Sequence, residues 1–178
     1  MGWLNDDGDH GGFAAAVWPD GRVSLGHTPG GAEVLPLGSD GRIDYDNAGD
    51  EPELRDGRTA IGWRGVCECG WSGPLWELVG TAGEHDEAAR RVHVEVDKYA
   101  EAPDEVEKGV WAEWHEHVRL LKALAAVAEA AQAAAVAEAH LTDAVRAARA
   151  AGNSWTDLGA EVGITGQAAH ERWAKVCG

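Results

Sequence analysis

The sequence predicts an α+β protein with three parts: a small antiparallel β-domain, a long alanine-rich helix and a C-terminal group of short helices. Three observations support this. Short apolar runs alternate with glycine-containing turns over residues 13–76, eleven of the seventeen residues from 123 to 139 are alanine, and glycines divide residues 152–178 into helix-length pieces. We therefore expect domains at 1–102, 103–140 and 141–178.

The charge distribution excludes a chain that is coated with basic surface for nonspecific nucleic-acid binding, because the formal net charge is −16. The charge is uneven along the chain. From Thr142 to Gly178 four basic and four acidic side chains cancel, so the first 141 residues carry all of the excess. The C-terminal end is therefore not repelled locally by DNA.

The N-terminus and the cysteines predict a cytoplasmic protein with no membrane association. The first residues are acidic and lack the basic and apolar regions of a signal peptide. No uninterrupted apolar run approaches the ~20 residues that span a bilayer. Three cysteines, two of them one residue apart, do not form a secreted disulfide framework.

The β-domain is predicted from alternating apolar runs and turn residues. Phe13–Trp18 and Val23–His27 flank a Pro-Asp-Gly turn and can pair as a hairpin. Further strands are predicted at 33–37, 59–66 and 71–76. The acidic stretch Asp44–Asp56 is interpreted as a solvated loop. We expect the best-packed core around the tryptophans of the middle third, which are Trp63, Trp71, Trp76, Trp111 and Trp114.

Helix signals begin after residue 84. Residues 86–91 favour helix, and the alternation that follows at 92–96 favours an extended segment. Pro103-Asp104 opens a long helix, since Asp is a good N-cap residue. An apolar stripe at spacings of three and four supports it, formed by Trp111, Trp114, Val118, Leu121 and Ala125.

The long helix extends to about Ala151, with a break near Thr142 as an alternative. Unbroken, it would be roughly 70 Å long at ~1.5 Å per residue, longer than a compact domain needs. Its small side chains allow close approach of another helix. We therefore expect a homodimer, and the competing interpretation is a flexible linker helix.

The C-terminal residues predict a trihelical helix-turn-helix domain. Leu141, Val145 and Ala148 share one face of a supporting helix, which Gly152-Asn153 ends. Ser154 caps the next helix, and Gly163 supplies the turn. Thr165 caps a last helix over 165–176. The side chains expected inside are Trp155, Leu158, Val162, Ile164 and Trp173, with Ala168 or Ala169, and Gly159 is small where the two short helices cross.

This segment resembles the helix-turn-helix of bacterial DNA-binding regulators, in the pattern SW-x-x-[IL]-G-x-x-[LV]-G-[IV]-[ST]-x-Q-[AS]-A from Ser154 to Ala169. The resemblance covers about thirty-five residues with the supporting helix, and it is also similar to the DNA-binding region of sigma factors. It implies a fold that places the last helix in the major groove of double-stranded DNA. In one departure, Gly166 stands where Arg is frequent, which removes a contact.

The resemblance implies roles for the exposed side chains of the last helix. Gln167 and His170 are the best candidates for base contacts, Thr165 lies at the same N-terminal end, and Arg172 and Lys175 follow where phosphates are contacted. The alternative is a trihelical module that makes protein contacts.

A cysteine pair, Cys67-Glu-Cys69-Gly, predicts a zinc-knuckle-like turn. Zn²⁺ is held by four N or S ligands, and Cys177 lies in the far C-terminal segment, so histidines should complete the site. On the long helix, His117 points nearer to the apolar stripe than His115 does. His85 is the leading fourth ligand, with His93 and His27 behind it. Two reduced thiols without metal are the alternative.

The set Cys67, Cys69 and His117 also resembles the CxCGW…WxxH arrangement of small bacterial zinc-bearing domains. A structural Zn²⁺ would then stabilise a sheet that is small for a domain. No phosphate-loop or nucleophile-elbow motif is present in the sequence. We therefore expect a transcriptional regulator and not an enzyme. The alternatives are an acidic protein-interaction module whose helical C-terminus docks a protein partner, and a zinc hydrolase.

Overall fold

A computed structural model of the chain describes residues 2–46 and 53–177. Its described part has a mixed α+β fold with eight strands and three α-helices. The chain forms two compact units, which we call the N-terminal unit (Met1–Leu121) and the C-terminal unit (Lys122–Gly178). The longest helix, α1 (Asp104–Ala150), contributes residues to both units.

The N-terminal unit contains one eight-stranded sheet. Its strands are β1 (Trp3–Leu4), β2 (Gly11–Val17), β3 (Val23–Thr28), β4 (Gly31–Leu35), β5 (Glu53–Arg55), β6 (Gly62–Cys67), β7 (Trp76–Leu78) and β8 (Arg91–Val92). The order is β5-β4-β3-β2-β6-β7-β8, with β1 beside β2. All pairs are antiparallel except β7 with β8. The long central pair aligns Gly12 with Cys67 and Val17 with Gly62.

Two strand predictions need correction. The expected strand 71–76 is mostly irregular, with one bridge from Ser72 to Val66, and β7 begins only at Trp76. The expected loop 44–56 contains β5, which pairs with β4 at the sheet edge. There Arg55 donates to both carboxylate oxygens of Asp20, a partner far away in sequence. Residues 47–52 of that loop lie outside the described residues.

The expected helix over 86–91 is wrong. In place of that helix, the segment forms one 3₁₀ turn at Glu87–Ala89. Asp86 caps it by accepting from the Ala89 N–H, and Arg90 ends it in the left-handed conformation with φ 56°. Arg91 and Val92 then extend alongside β7. A non-glycine residue in this conformation stops the helix and reverses the chain, and the residue pattern gave no signal of it.

The core of the N-terminal unit lies between the sheet and the first turns of α1. Trp18 and Trp63 are buried, and their indole N–H groups donate to Thr59 Oγ1 (3.0 Å) and the Ala100 carbonyl (2.9 Å). Helix α1 buries residues spaced four apart, namely Val106, Val110, Trp114 and Val118. This spacing turns Trp111 away from the sheet, and it is 45% exposed. The expectation that Trp111 belongs to the core is therefore wrong.

Helix α1 runs without a break through Thr142. Every residue from Lys122 to His140 is exposed. By length and composition alone, α1 is apolar enough to cross a membrane, although none of its apolar window is buried. The expectation that no apolar run approaches a bilayer span needs this correction: glutamates interrupt the alanine tract, but its many alanines and valines keep the mean hydropathy high. An exposed alanine-rich helix in water also meets this criterion, so the criterion does not show whether α1 lies in a membrane.

The C-terminal unit packs the end of α1 against α2 (Trp155–Val162) and α3 (Gly166–Cys177). Its buried residues are Val145, Leu158, Ala169 and Trp173, with Trp155 half-buried beside them. Ser154 and Asp157 cap α2 reciprocally through side chain and backbone. Gly163 ends α2 in the left-handed conformation with φ 76°, where a side chain would be strained.

Candidate metal centre and exposed face of helix α3

Two cysteines project from the end of the central strand pair. Cys67 is the last residue of β6, and its N–H donates to the Trp71 carbonyl at 2.9 Å. The Gly70 N–H donates back to the Cys67 carbonyl at 2.9 Å, which closes a tight turn around Cys69. This turn brings both sulfur atoms to one side of the sheet end.

Two histidines approach the same point from other elements. His10 directly precedes β2, and its Nδ1 lies 3.6 Å from Cys67 Sγ. His117 projects from α1, and its Nε2 lies 3.2 Å from Cys69 Sγ. The four ligand atoms all lie within 4.8 Å of one another. Three segments that are far apart in sequence therefore meet in one Cys₂His₂ cluster, which could hold a metal ion.

The dimensions of the cluster suit a tetrahedral ion. Bonds of about 2.3 Å to sulfur and about 2.0 Å to nitrogen place tetrahedral ligand atoms about 3.3–3.8 Å apart. The Cys67–His10 and Cys69–His117 separations of 3.6 and 3.2 Å are near this range. Small side-chain adjustments would bring the remaining pairs, which lie within 4.8 Å, to the same spacing.

Burial shifts the pKa values of two members of the cluster, Cys67 and His117. It raises the pKa of the Cys67 thiol, an effect that the Cys69 N–H and the Trp114 indole oppose in part. Burial, together with the nearby His10, lowers the pKa of His117. His117 is therefore neutral at pH 7 and has a lone pair for a metal. A cation that binds here must displace thiol protons, so its affinity falls as pH falls.

Aromatic side chains enclose the cluster. The Trp71 ring stacks on His117 with centroids 4.8 Å apart and an interplanar angle of 11°. Trp114 and Val118, both buried, pack against Cys67, and Trp3 packs against the same group. These rings hold the His117 ring in place and help to bury Cys67.

The structure brings together Cys67, Cys69 and His117, and it places His85 elsewhere. His85 Nδ1 accepts from the His93 N–H at 3.3 Å, and its Nε2 lies 3.7 Å from Glu87. The fourth side chain of the cluster is His10. The long-range pairing of β2 with β6 brings His10 to the cluster, because it places Gly12 opposite Cys67.

The other histidines considered as ligands also lie outside the cluster. His93 faces the Val79 carbonyl at 3.1 Å, and His27 lies against Tyr99, with centroids 4.8 Å apart. His115, two residues before His117, is exposed and packs on Trp111. Helix geometry therefore separates neighbouring histidines of α1 in the way that the spacing of the sequence indicates.

Helix α3 presents a polar, exposed face in the C-terminal unit. All five residues that the sequence singled out are exposed, namely Thr165, Gln167, His170, Arg172 and Lys175. The Thr165 hydroxyl caps α3 by accepting from the Ala168 N–H at 3.1 Å. Opposite this face, Ala169 and Trp173 are buried against α1 and α2.

Side chains of this face also contact other side chains of the unit, and the His170 ring packs edge-on against Trp155. Gln167 Nε2 donates to Glu171 at 2.9 Å. The Arg172 guanidinium donates to the Glu138 carboxylate of α1 at 2.5 Å, and both side chains are about half exposed. These solvent-exposed contacts are weak enough to exchange for other partners.

The packing of α2 on α3 explains the glycine at position 166. A Cβ on Gly166 would lie 2.9 Å from the Thr156 Cα, and a Cβ on Gly159 would lie 2.8 Å from the Gly166 N. The two helices therefore cross where neither can carry a side chain. The arginine that is frequent at this position in the regulators that the sequence resembles would not fit here.

Comparison with known protein families, curated proteins and solved structures finds no significant match to this chain.

Proposed function

We propose that the chain is a DNA-binding protein, a transcriptional regulator, in which α2, the Gly163 turn and α3 act as a helix-turn-helix. One observation carries this proposal. Helix α3 is anchored by Ala169 and Trp173 on one side and exposes mainly polar side chains on the rest of its surface. A recognition helix needs this division, since it must stay folded while its outer face enters the major groove.

The chemistry of this face matches the contacts that DNA offers. Gln167 can donate to and accept from adenine in the major groove, and His170 lies one turn later on the same face. Arg172 and Lys175 supply cations for phosphates. Each protomer supplies only a few cations, so the salt dependence of binding should correspond to about two or three phosphates per protomer, a contribution of about −2 to −3 to the log–log slope from each.

We propose that the metal ion is Zn²⁺ and that it is structural. Two thiolates and two imidazoles form a complete tetrahedral set for Zn²⁺, with no position left open for a substrate. This favours a non-enzymatic role over a zinc hydrolase. The turn at Cys67–Gly70 then acts as a zinc knuckle that ties the strand pair to α1.

We propose that the chain acts as a homodimer in the cytoplasm. Leu120, Leu124 and Val127 recur at spacings of four and three on α1, and they are 52%, 67% and 67% exposed. The alanines that follow would allow a second α1 to approach closely. Paired chains would present two α3 helices to two half-sites. Sedimentation analysis should give a dimer that Leu124→Glu dissociates; a monomeric wild-type protein would overturn this part.

The DNA proposal is tested by selection of duplexes from a random pool, followed by fluorescence anisotropy with the zinc-loaded full chain. The selected duplexes should share a sequence. Gln167→Ala should relax the preference at one base pair, and Arg172→Ala should weaken binding to every duplex. Arg42→Ala is the matched control, since it removes the same charge from an exposed side chain of the N-terminal unit.

Two results would contradict the proposal: no enrichment of any sequence, or full binding by a Gln167→Ala, Arg172→Ala double variant. The first result would favour the rival function, an acidic protein-interaction module. That rival is supported by the N-terminal unit, whose ten basic and twenty-five acidic side chains give a formal net charge of −15.

A further inference from the structure

Trp114 is a buried tryptophan that lies beside a cysteine of the candidate metal cluster. Its side chain is 3% exposed, and its indole N–H makes no well-formed hydrogen bond within the described residues, although it lies close enough to Cys67 to lower the pKa of that thiol. It lies three residues before His117 on α1, and it packs with Cys67 in one buried group. A buried N–H without a strong acceptor is unfavourable, so its position beside a thiol needs an explanation.

The strand pair is shaped to admit this indole. Gly12 lies opposite Cys67 in the register of β2 and β6. A Cβ on Gly12 would collide with Trp114 Nε1. The missing side chain of Gly12 therefore lets the indole N–H lie directly over the backbone next to Cys67.

We propose that Trp114 is a positioning residue that donates its Nε1–H to the Cys67 thiolate when the cluster holds its metal. This inference rests on the proposed metal site. A thiol is a weak acceptor, whereas a metal-bound thiolate carries negative charge and accepts strongly. Metal binding would therefore complete a hydrogen bond that the metal-free protein makes poorly. Such outer contacts hold the ligand in place and tune its donor strength.

Trp76 provides a control for the proposed role of Trp114, because it is also a buried tryptophan but lies away from the cysteines. Trp76 is also buried, at 7% exposure, and its N–H also lacks a partner in the described part of the chain. It packs on Gly109 within the apolar core between the sheet and α1, in a different group from the one that contains Cys67. Trp76→Phe therefore removes the same atom without removing a donor to a ligand.

The test is a Co²⁺ titration of the full chain, since Co²⁺ reports thiolate ligation through charge-transfer absorption. Trp114→Phe should weaken metal binding by about 10-fold to 100-fold. It should also shift the sulfur-to-cobalt band to longer wavelength, because a thiolate without the N–H donor gives up its electron more readily. Trp76→Phe should leave the band position unchanged, even if it lowers stability.

Unchanged affinity and an unchanged band in Trp114→Phe would overturn the inference while leaving the metal site intact. The absence of a charge-transfer band in the wild-type protein would overturn the metal site itself, and the inference with it. If Trp114→Phe does not fold, the proposed hydrogen bond can be tested by NMR on the wild-type protein loaded with ¹¹³Cd. The Trp114 Hε1 should show scalar coupling to ¹¹³Cd across the hydrogen bond, and a signal without coupling would contradict the proposal.

Discussion

The small cores of the two units are stabilised in different ways. The N-terminal unit gathers short strands from distant parts of the sequence, and a Cys₂His₂ cluster joins the ends of β2 and β6 to α1. The C-terminal unit packs three consecutive helices around Trp173. The N-terminal unit therefore needs a cross-link that an ion can supply, whereas the C-terminal unit needs only contacts between neighbouring helices.

The units also differ in charge and in where their chemically distinctive side chains lie. The N-terminal unit has a formal net charge of −15 and encloses its cluster among tryptophans, whereas the C-terminal unit has a net charge of −1 and exposes its polar face on α3. Substitutions should therefore separate the two units: one set should affect metal binding and the sheet, and the other should affect α3.

Loss of a metal ligand should have the largest effect. His117→Ala should abolish stoichiometric Zn²⁺ binding and lower the melting temperature of the N-terminal unit by more than about 10 °C, because structural Zn²⁺ contributes about 10–16 kcal/mol of apparent binding energy in small domains. His115→Ala is the matched control on the same helix. Elemental analysis and calorimetry provide the measurements, and equal zinc content in both variants would contradict the assignment.

Truncation of the central side chain of the C-terminal unit should come next. Trp173 is 1% exposed, so Trp173→Ala should destabilise the unit by about 3–5 kcal/mol. The loss of α2 and α3 should appear as reduced helical circular dichroism. Zinc content should not change, because the cluster lies in the other unit. Trp111→Ala, at a 45% exposed position, is the control and should cost far less.

The sequence predicts the two units unequally well, for a physical reason. In the C-terminal unit, Ser154 and Gly163 define helix ends through local caps and backbone preferences, which neighbouring residues encode. In the N-terminal unit, His10 joins the cluster only because strand register places Gly12 opposite Cys67. Such register depends on distant pairing, and no local pattern reveals it.

The helix predicted at 86–91 shows the same limit. Its residues have adequate helix propensity, but Arg90 adopts a left-handed conformation that allows Arg91 to join β7. Tertiary pairing therefore overrides local preference. The error at Trp111 is smaller. The buried stripe of α1 includes Val110 in place of Trp111, so the Trp111 side chain faces outward.

A smaller effect should come from the ion pair that engages Arg172. Glu138→Gln should free the guanidinium and tighten DNA binding by about two- to fivefold, since exposed pairs contribute about 0.2–1 kcal/mol. Glu129→Gln is the matched control, because it removes the same charge from an exposed residue of the same helix. Anisotropy titrations with one selected duplex make the comparison, and equal gains from both variants would show only a general charge effect.

The smallest effect concerns pH in the N-terminal unit. The Arg55 side chain, by hydrogen bonding, lowers the pKa of Asp20 to about 2 from 3.8. A lowered folded-state pKa means that this pair stabilises the fold above pH ~4 and loses its contribution as pH falls toward 2. An NMR titration of the Asp20 carboxyl in Arg55→Met should show its pKa raised toward the ordinary value. An unchanged pKa would show that Arg55 is not the cause.

The most direct test of the proposed function is an NMR titration of the intact, zinc-loaded chain with a selected duplex. The account predicts that amide shifts concentrate on the exposed face of α3 around Gln167, His170 and Arg172, while the amides next to Cys67 do not move. Shifts confined to the N-terminal unit, or none at saturating DNA, would contradict it.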